Sequence, residues 1–195
     1  MIKAIIFDCF GVFTEDKWKQ FCDTLTPGPA LDKAKQLNYD HDAGLISLKE
    51  FSQGVYEATG HHPDLIEEIM TSPQSAKNQK LLDYVRQLKP SYKIGMISNV
   101  ASNWIREHLF TEEEQELFDD MVFSFEVGDI KPNPKIYQTA AQNLGVEPVE
   151  CVFIDDVPRY CQGAEDVGMQ AVVYQDFEQM KADLEKLLAR AGPDN

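Results

Sequence analysis

The 195-residue sequence predicts an α/β protein: a Rossmann-like, doubly wound parallel sheet with a small all-helical module inserted after the first strand. Three observations carry this. Short β-branched or apolar runs recur between amphipathic stretches, which is the pattern of βαβ units around a sheet buried on both faces. About eighty residues separate the first two runs, far more than the dozen or so that a crossover helix needs. The intervening segment carries helix signals throughout.

In chain order, strands are expected at Ile2–Phe7, Lys93–Ser98, Met121–Ser124, Cys151–Ile154 and Ala171–Tyr174. The insertion, 14–71, is expected to hold helices at Asp16–Leu25, Pro29–Leu37, Leu48–Thr59 and Pro63–Met70, the third opened by a Ser47/Glu50 capping box. A further helix from near Gln74, containing Tyr84 and Leu88, leads back to the second strand. Residues 1–13 and 72–195 then form one core domain, as this length supports. The acidic run at 111–116 (TEEEQE) reads as a helix N-terminus whose charges favour the macrodipole. The tail AGPDN reads as frayed.

A formal net charge of −15 and a pI near 4.6 argue against nucleic-acid and anionic-membrane partners, because like charges repel. Cys9, Cys22, Cys151 and Cys161 have neither CxxC nor ligand spacing, so no zinc site or disulfide framework is signalled. The opening MIKAIIFD runs straight into an aspartate without a small-residue cleavage pattern. A reduced, cytoplasmic protein acting on small molecules is expected.

Four features fall at the C-terminal ends of expected strands, where open parallel sheets hold ligands: Asp8, Ser98-Asn99, Lys131 and Asp155-Asp156. Singly, each has an ordinary structural reading as a turn, cap or solvated residue. Jointly they make coherent phosphoryl-transfer chemistry. A carboxylate can accept a phosphoryl group and split one displacement into two. Converging carboxylates repel unless a hard cation sits among them, and Mg²⁺ suits such a site. A serine hydroxyl and a lysine can hold phosphoryl oxygens as charge shifts. Lys131 stands in KPNPKIY, where Pro132 and Pro134 stiffen the loop and Asn133 is expected to cap the next helix.

These motifs resemble those of the haloacid dehalogenase (HAD) superfamily: Asp8-Cys9-Phe10-Gly11-Val12, Ser98-Asn99, Lys131 in KPNPKIY, Asp155-Asp156 in FIDD, and GAEDVGMQAVVY at 163–174. The insertion looks like that family's first type of cap, and Gly44-Leu45-Ile46-Ser47 followed by Phe51 resembles the sugar-phosphate phosphatase and epoxide-hydrolase N-domain subgroup. The resemblance implies Asp8 as nucleophile and Ser98 and Lys131 as phosphate holders, with Asn99 positioning its neighbours. It also implies Mg²⁺ held by Asp8, the Phe10 carbonyl, Asp155 and Asp156, and a small phosphorylated metabolite as substrate. His41 and Asp42, near the Gly44 turn, are the cap residues expected to reach substrate, with His41 as a binding residue.

Phe10 departs from the family pattern, which places at that position a second aspartate that protonates the leaving group. General acid–base help is worth about 10²–10⁴ in rate, so a slow enzyme, a good leaving group or a substitute acid follows. One alternative is a phosphate- or partner-binding protein without turnover. Another is a 2-haloacid dehalogenase, which needs neither proton donor nor metal; the Asp155-Asp156 pair and the absence of arginine from Thr14 to Lys80 argue against it. A receiver-type module would carry its paired acids after the first strand instead. His61-His62 read as solvated or capping residues rather than ligands. Trp18, Phe21 and Tyr39 either line the cap or form its core.

Overall fold

The computed structural model describes residues 1–71 and 76–190. Five parallel strands, β1 (Ala4–Phe7), β2 (Lys93–Ser98), β3 (Asp120–Phe123), β4 (Cys151–Asp155) and β5 (Gln170–Val173), lie in the order β3-β2-β1-β4-β5. The chain steps outward from β1 to β3 and then crosses to the other side of β1. The winding therefore reverses between β1 and β4, where such sheets open a crevice. Phe7 pairs with both Met96 and Ile154, so the C-terminal ends of β1, β2 and β4 finish nearly level.

Both sheet faces are buried, which is why the strands read as continuous apolar runs. Ala4 and Ile6 pack with Ile136, Ala140 and Leu144 of α8 (Pro134–Leu144). Ile5 and Phe7 face the other way, into a cluster with Leu81 and Val85 of α5 (Gln79–Leu88) and Leu184 of α10 (Phe177–Arg190). No helix among the described residues is long and apolar enough to cross a membrane.

Between β1 and β2 come α1 (Lys17–Thr24), α2 (Pro29–Asp42), α3 (Leu48–Thr59) and α4 (Pro63–Thr71). Their starts are encoded locally. Asp16 Oδ1 accepts the Lys19 N–H at 2.8 Å, Pro29 occupies the first turn of α2, and the expected Ser47/Glu50 capping box makes both of its bonds. Phe21, Leu37, Phe51, Val55 and Ile66 give the four helices a core of their own.

Several boundaries differ from expectation. Helix α2 runs to Asp42 rather than Leu37, since no glycine or proline interrupts it and Gln36–Asp40 and Asn38–Asp42 side-chain pairs, each 2.8 Å, carry it onward. Strand β1 starts at Ala4 rather than Ile2, and β3 ends at Phe123 because Ser124 opens the single turn α7 (Ser124–Val127). The acidic run forms only one turn, α6 (Glu112–Gln115), with Thr111 and Glu114 as its capping box. The expected helix start near Gln74 lies outside the described residues; α5 as described begins at Gln79, capped by Asn78. The tail AGPDN also lies outside them.

Candidate active site at the sheet switch point

Asp8 leaves the end of β1 with its N–H still bonded to Ile154 O at 2.8 Å, which fixes the direction of its side chain. The chain then turns sharply. Gly11 takes φ +84°, and a Cβ there would lie 2.6 Å from Asp156 Cγ, so this turn admits glycine for two separate reasons. Asp155 is the last residue of β4 and Asp156 the next, across the switch point.

Lys131 joins them. Its side chain is 1% exposed, and Nζ lies 2.7 Å from Asp8 Oδ1 and 2.6 Å from Asp155 Oδ2. Burial works against this ammonium, but Asp155 and Asp8 outweigh it and hold its pKa well above the usual lysine value. Asp155 Oδ1 accepts the Val157 N–H at 2.8 Å, so both carboxylate oxygens are engaged. Burial and then Asp155 push the Asp8 carboxyl up, opposed by Lys131. Burial, with Asp155 and Asp16 behind it, pushes Asp156 up to about 6.

The Lys131 loop is held from both sides. Asn99 Oδ1 accepts the Lys131 N–H at 2.9 Å and its Nδ2 donates to Lys131 O at 3.3 Å, so Asn99 positions the lysine's backbone. Gly163 of α9 (Pro158–Asp166) permits close approach: a Cβ there would sit 2.7 Å from Pro132 O. Asn133 stands at the N-cap of α8 as expected but does not cap with its side chain; Nδ2 turns back to Asp129 Oδ1 at 2.8 Å. Ser98, fully buried at the end of β2, has an Oγ without a hydrogen-bond partner.

Oxygen atoms of Asp8, Asp155 and Asp156 all lie within 4.8 Å of one another. Three carboxylates facing one ammonium leave an excess of negative charge equal to that of two unpaired carboxylates. A hard divalent cation with oxygen ligands fits this donor set.

Beside Phe10 and Asn99, a cavity of about 570 Å³ opens between the helical insertion and the sheet edge. Phe10, Trp18 and Trp104 line it, as do Asp16, His41 and Asp42. Phe10 is half-buried with its ring centroid 6.4 Å from that of Trp104, so its side chain is an apolar part of the cavity wall. His41 is 8% exposed and stacked on Phe51 at 5.0 Å; burial lowers its pKa, which makes it a neutral ring at the cavity edge. Trp18 both lines the cavity and packs on the insertion's core, and Phe21 belongs to that core. His62 Nδ1 accepts the Asp64 N–H, a capping role as expected, whereas His61 packs edge-on against Phe21 instead of standing in solvent.

Sequence reading missed Asp16 and Trp104. Asp16 stands first in its expected helix, where an acid needs no further reason. Trp104 Nε1 donates to Thr71 O at 3.2 Å, a contact between the insertion and the β2 loop that no local pattern signals.

The profile of the family described as haloacid dehalogenase-like hydrolase matches residues 55–174. The chain belongs to that family. This HAD chain is 26% identical over 205 residues to the D-ribitol-5-phosphate phosphatase of Bacteroides thetaiotaomicron, covering 96% of the chain and 99% of the relative. A stretch of 138 residues is 30% identical to bifunctional epoxide hydrolase 2 of Rattus norvegicus, covering 66% of the chain but only 24% of that longer protein. Among solved structures, a HAD family enzyme of Bacteroides thetaiotaomicron in complex with magnesium and inorganic phosphate aligns with a TM-score of 0.66. That likeness spans 90% of this chain and 95% of the other at 22% identity, and it is one of fold.

Proposed function

We propose that this HAD hydrolase is a Mg²⁺-dependent phosphatase of small phosphorylated metabolites, working through an aspartyl phosphate on Asp8. The observation that carries the reading is the buried Asp8–Lys131–Asp155 array at the switch point, with Asp156 beside it. Asp8 is the nucleophile, set by its strand and by Lys131 2.7 Å away. Ser98 Oγ, buried and unspent on protein partners, and Lys131 Nζ hold the phosphoryl oxygens. Asn99 keeps Lys131 in place. Asp8, Asp155, Asp156 and the Phe10 carbonyl would hold Mg²⁺, which when bound offsets charge on the phosphoryl group as it transfers. The insertion, 14–71, serves as a cap over the core formed by 1–13 and 72–195, and the part of the substrate beyond the phosphate occupies the cavity beneath it. His41 borders that space as a neutral ring. The four buried free cysteines suit a reducing compartment such as the cytoplasm.

The acid excess does not suit metal-free 2-haloacid chemistry, which needs one carboxylate nucleophile and gains nothing from two more beside it. A second reading, a phosphate-binding protein without turnover, draws on the apolar wall made by Phe10. Phosphate release from a panel of phosphoesters and acyl phosphates, with and without Mg²⁺, separates the two. The expected result is Mg²⁺-dependent turnover that falls to background in Asp8→Asn. Turnover no higher than that of Asp8→Asn across the panel favours the binding protein.

A further inference from the structure

Phe10 cannot give a proton, so a basic leaving group needs one from elsewhere. We infer that Asp42, at the end of α2, is the residue that protonates the leaving oxygen. The inference rests on the phosphatase reading and deepens it.

Asp42 and Phe10 line the same cavity, the acid coming from the insertion and the apolar side chain from the turn after β1. Asp42 is 7% exposed and borders that cavity. Its backbone is tied to the core: Ser124 Oγ donates to Asp42 O at 2.7 Å and accepts the Val100 N–H at 2.9 Å. This tie holds the end of α2 against the segments that follow β2 and β3. The side chain is also oriented, since Asn38 Nδ2 donates to Asp42 Oδ2 at 2.8 Å. Oδ1 stands 3.8 Å from His41 Nδ1, beyond hydrogen-bond reach.

The same surroundings favour the neutral acid. Burial raises the Asp42 pKa well above the ordinary carboxyl range, the Asn38 bond lowers it, Asp16 adds to the rise and Lys131 opposes it. His41, the other titratable neighbour, is itself held neutral by burial. A carboxyl on the last residue of a helix also faces the negative end of the macrodipole. Asp16 is the weaker candidate, because its Oδ1 is committed to capping α1.

The step balances without a further reactant. An Asp8 carboxylate oxygen bonds to phosphorus, the bond from phosphorus to the ester oxygen breaks, and that oxygen takes the Asp42 proton. Water then attacks the aspartyl phosphate and gives its proton to the Asp42 carboxylate. Asp8 is released and Asp42 is again an acid.

The test compares kcat/KM, which contains only the steps through leaving-group departure, for 4-nitrobenzyl and 4-nitrophenyl phosphate with Mg²⁺ present. These esters differ by one methylene but greatly in leaving-group basicity. Asp42→Asn is expected to lower kcat/KM for the benzyl ester by about 10²–10³ and for the phenyl ester by less than about tenfold, with Asp42→Glu recovering part of the benzyl activity. In the unmodified protein, benzyl kcat/KM falls on the alkaline side, as Asp42 ionises, while the phenyl profile stays flat there. This second measurement stands even if Asp42→Asn folds poorly. Equal losses on both esters, no loss on either, or identical alkaline limbs overturn the assignment. Absence of Mg²⁺-dependent release from either ester by the unmodified protein overturns the phosphatase reading beneath it.

Discussion

Gly11→Ala strikes the turn that joins the nucleophile to the carboxylate cluster, and its effect can be worked from two numbers. The backbone there is at φ +84°, where an L side chain costs about 1–2 kcal/mol. The new methyl would also stand 2.6 Å from Asp156 Cγ and 2.7 Å from both of its oxygens. Ordinary carbon contacts begin near 3.5 Å, so the carboxylate or the turn must give by about 1 Å. Together these come to roughly 2–3 kcal/mol, or a melting temperature lower by about 4–12 °C for a chain of this size. Moving Asp156 away from Asp8 and Asp155 also weakens any cation they share, by about tenfold or more in the Mg²⁺ concentration that half-activates turnover. Thermal unfolding without Mg²⁺ reads the first effect, and phosphate release against Mg²⁺ concentration reads the second. A melting temperature within about 1 °C of the parent and an unchanged Mg²⁺ response would refute the reasoning, since the turn would then neither require glycine nor support Asp156.

Other substitutions separate function from folding. Ser98→Ala removes a buried hydroxyl that has no protein partner, so stability should change by less than about 1 kcal/mol, while kcat/KM falls roughly 10–100-fold as a bond to the phosphoryl group is lost. A large drop in urea midpoint, or unchanged kinetics, would count against the phosphate-holding role. Asp42 carries a pH signature in stability. Its folded pKa is raised by burial, so the folded chain keeps a proton that the unfolded chain loses near pH 4. The resulting stabilisation is full below that pH and is lost as pH rises through the raised value. Urea midpoints across this window should fall less steeply in Asp42→Asn, and parallel curves for the two proteins would contradict the burial.

How much of this the sequence made legible follows from what is local. The strand ends carrying Asp8, Ser98 and Asp155 were readable because a buried parallel strand is an uninterrupted apolar run and its first polar residue marks the edge. Helix α3 was readable to the residue because Ser47 and Glu50 cap it within four positions. The end of α2 was not, since side-chain pairs such as Asn38–Asp42 carry a helix past the point where its apolar residues thin out. Nor was the neighbourhood of Asp42 and Asp16, because it depends on how the insertion docks. That docking rests on Ser124 Oγ to Asp42 O and on Trp104 Nε1 to Thr71 O, two bonds that span 82 and 33 positions. Asn133 illustrates the opposite error: the right residue stands at the cap, but Asp129 offers a nearer partner.

Placing the acid on Asp42 rather than at position 10 changes when the active site is complete. A donor at position 10 would sit on the turn after β1 and be present whatever the insertion does. Asp42 belongs to the insertion, whose two connections to the core run side by side: Asn78 N donates to Phe13 O at 2.7 Å and Asn78 Nδ2 to Val12 O at 3.2 Å. Its place over the cavity is set by the Ser124 bond at the far end. On the Asp42 assignment, proton donation depends on the end of α2 staying in this place. Phe10 fits this logic, since its side chain lines the same cavity and has no proton to give. On the Asp42 assignment, a function that the family pattern places on the turn after β1 is carried by a helix of the insertion.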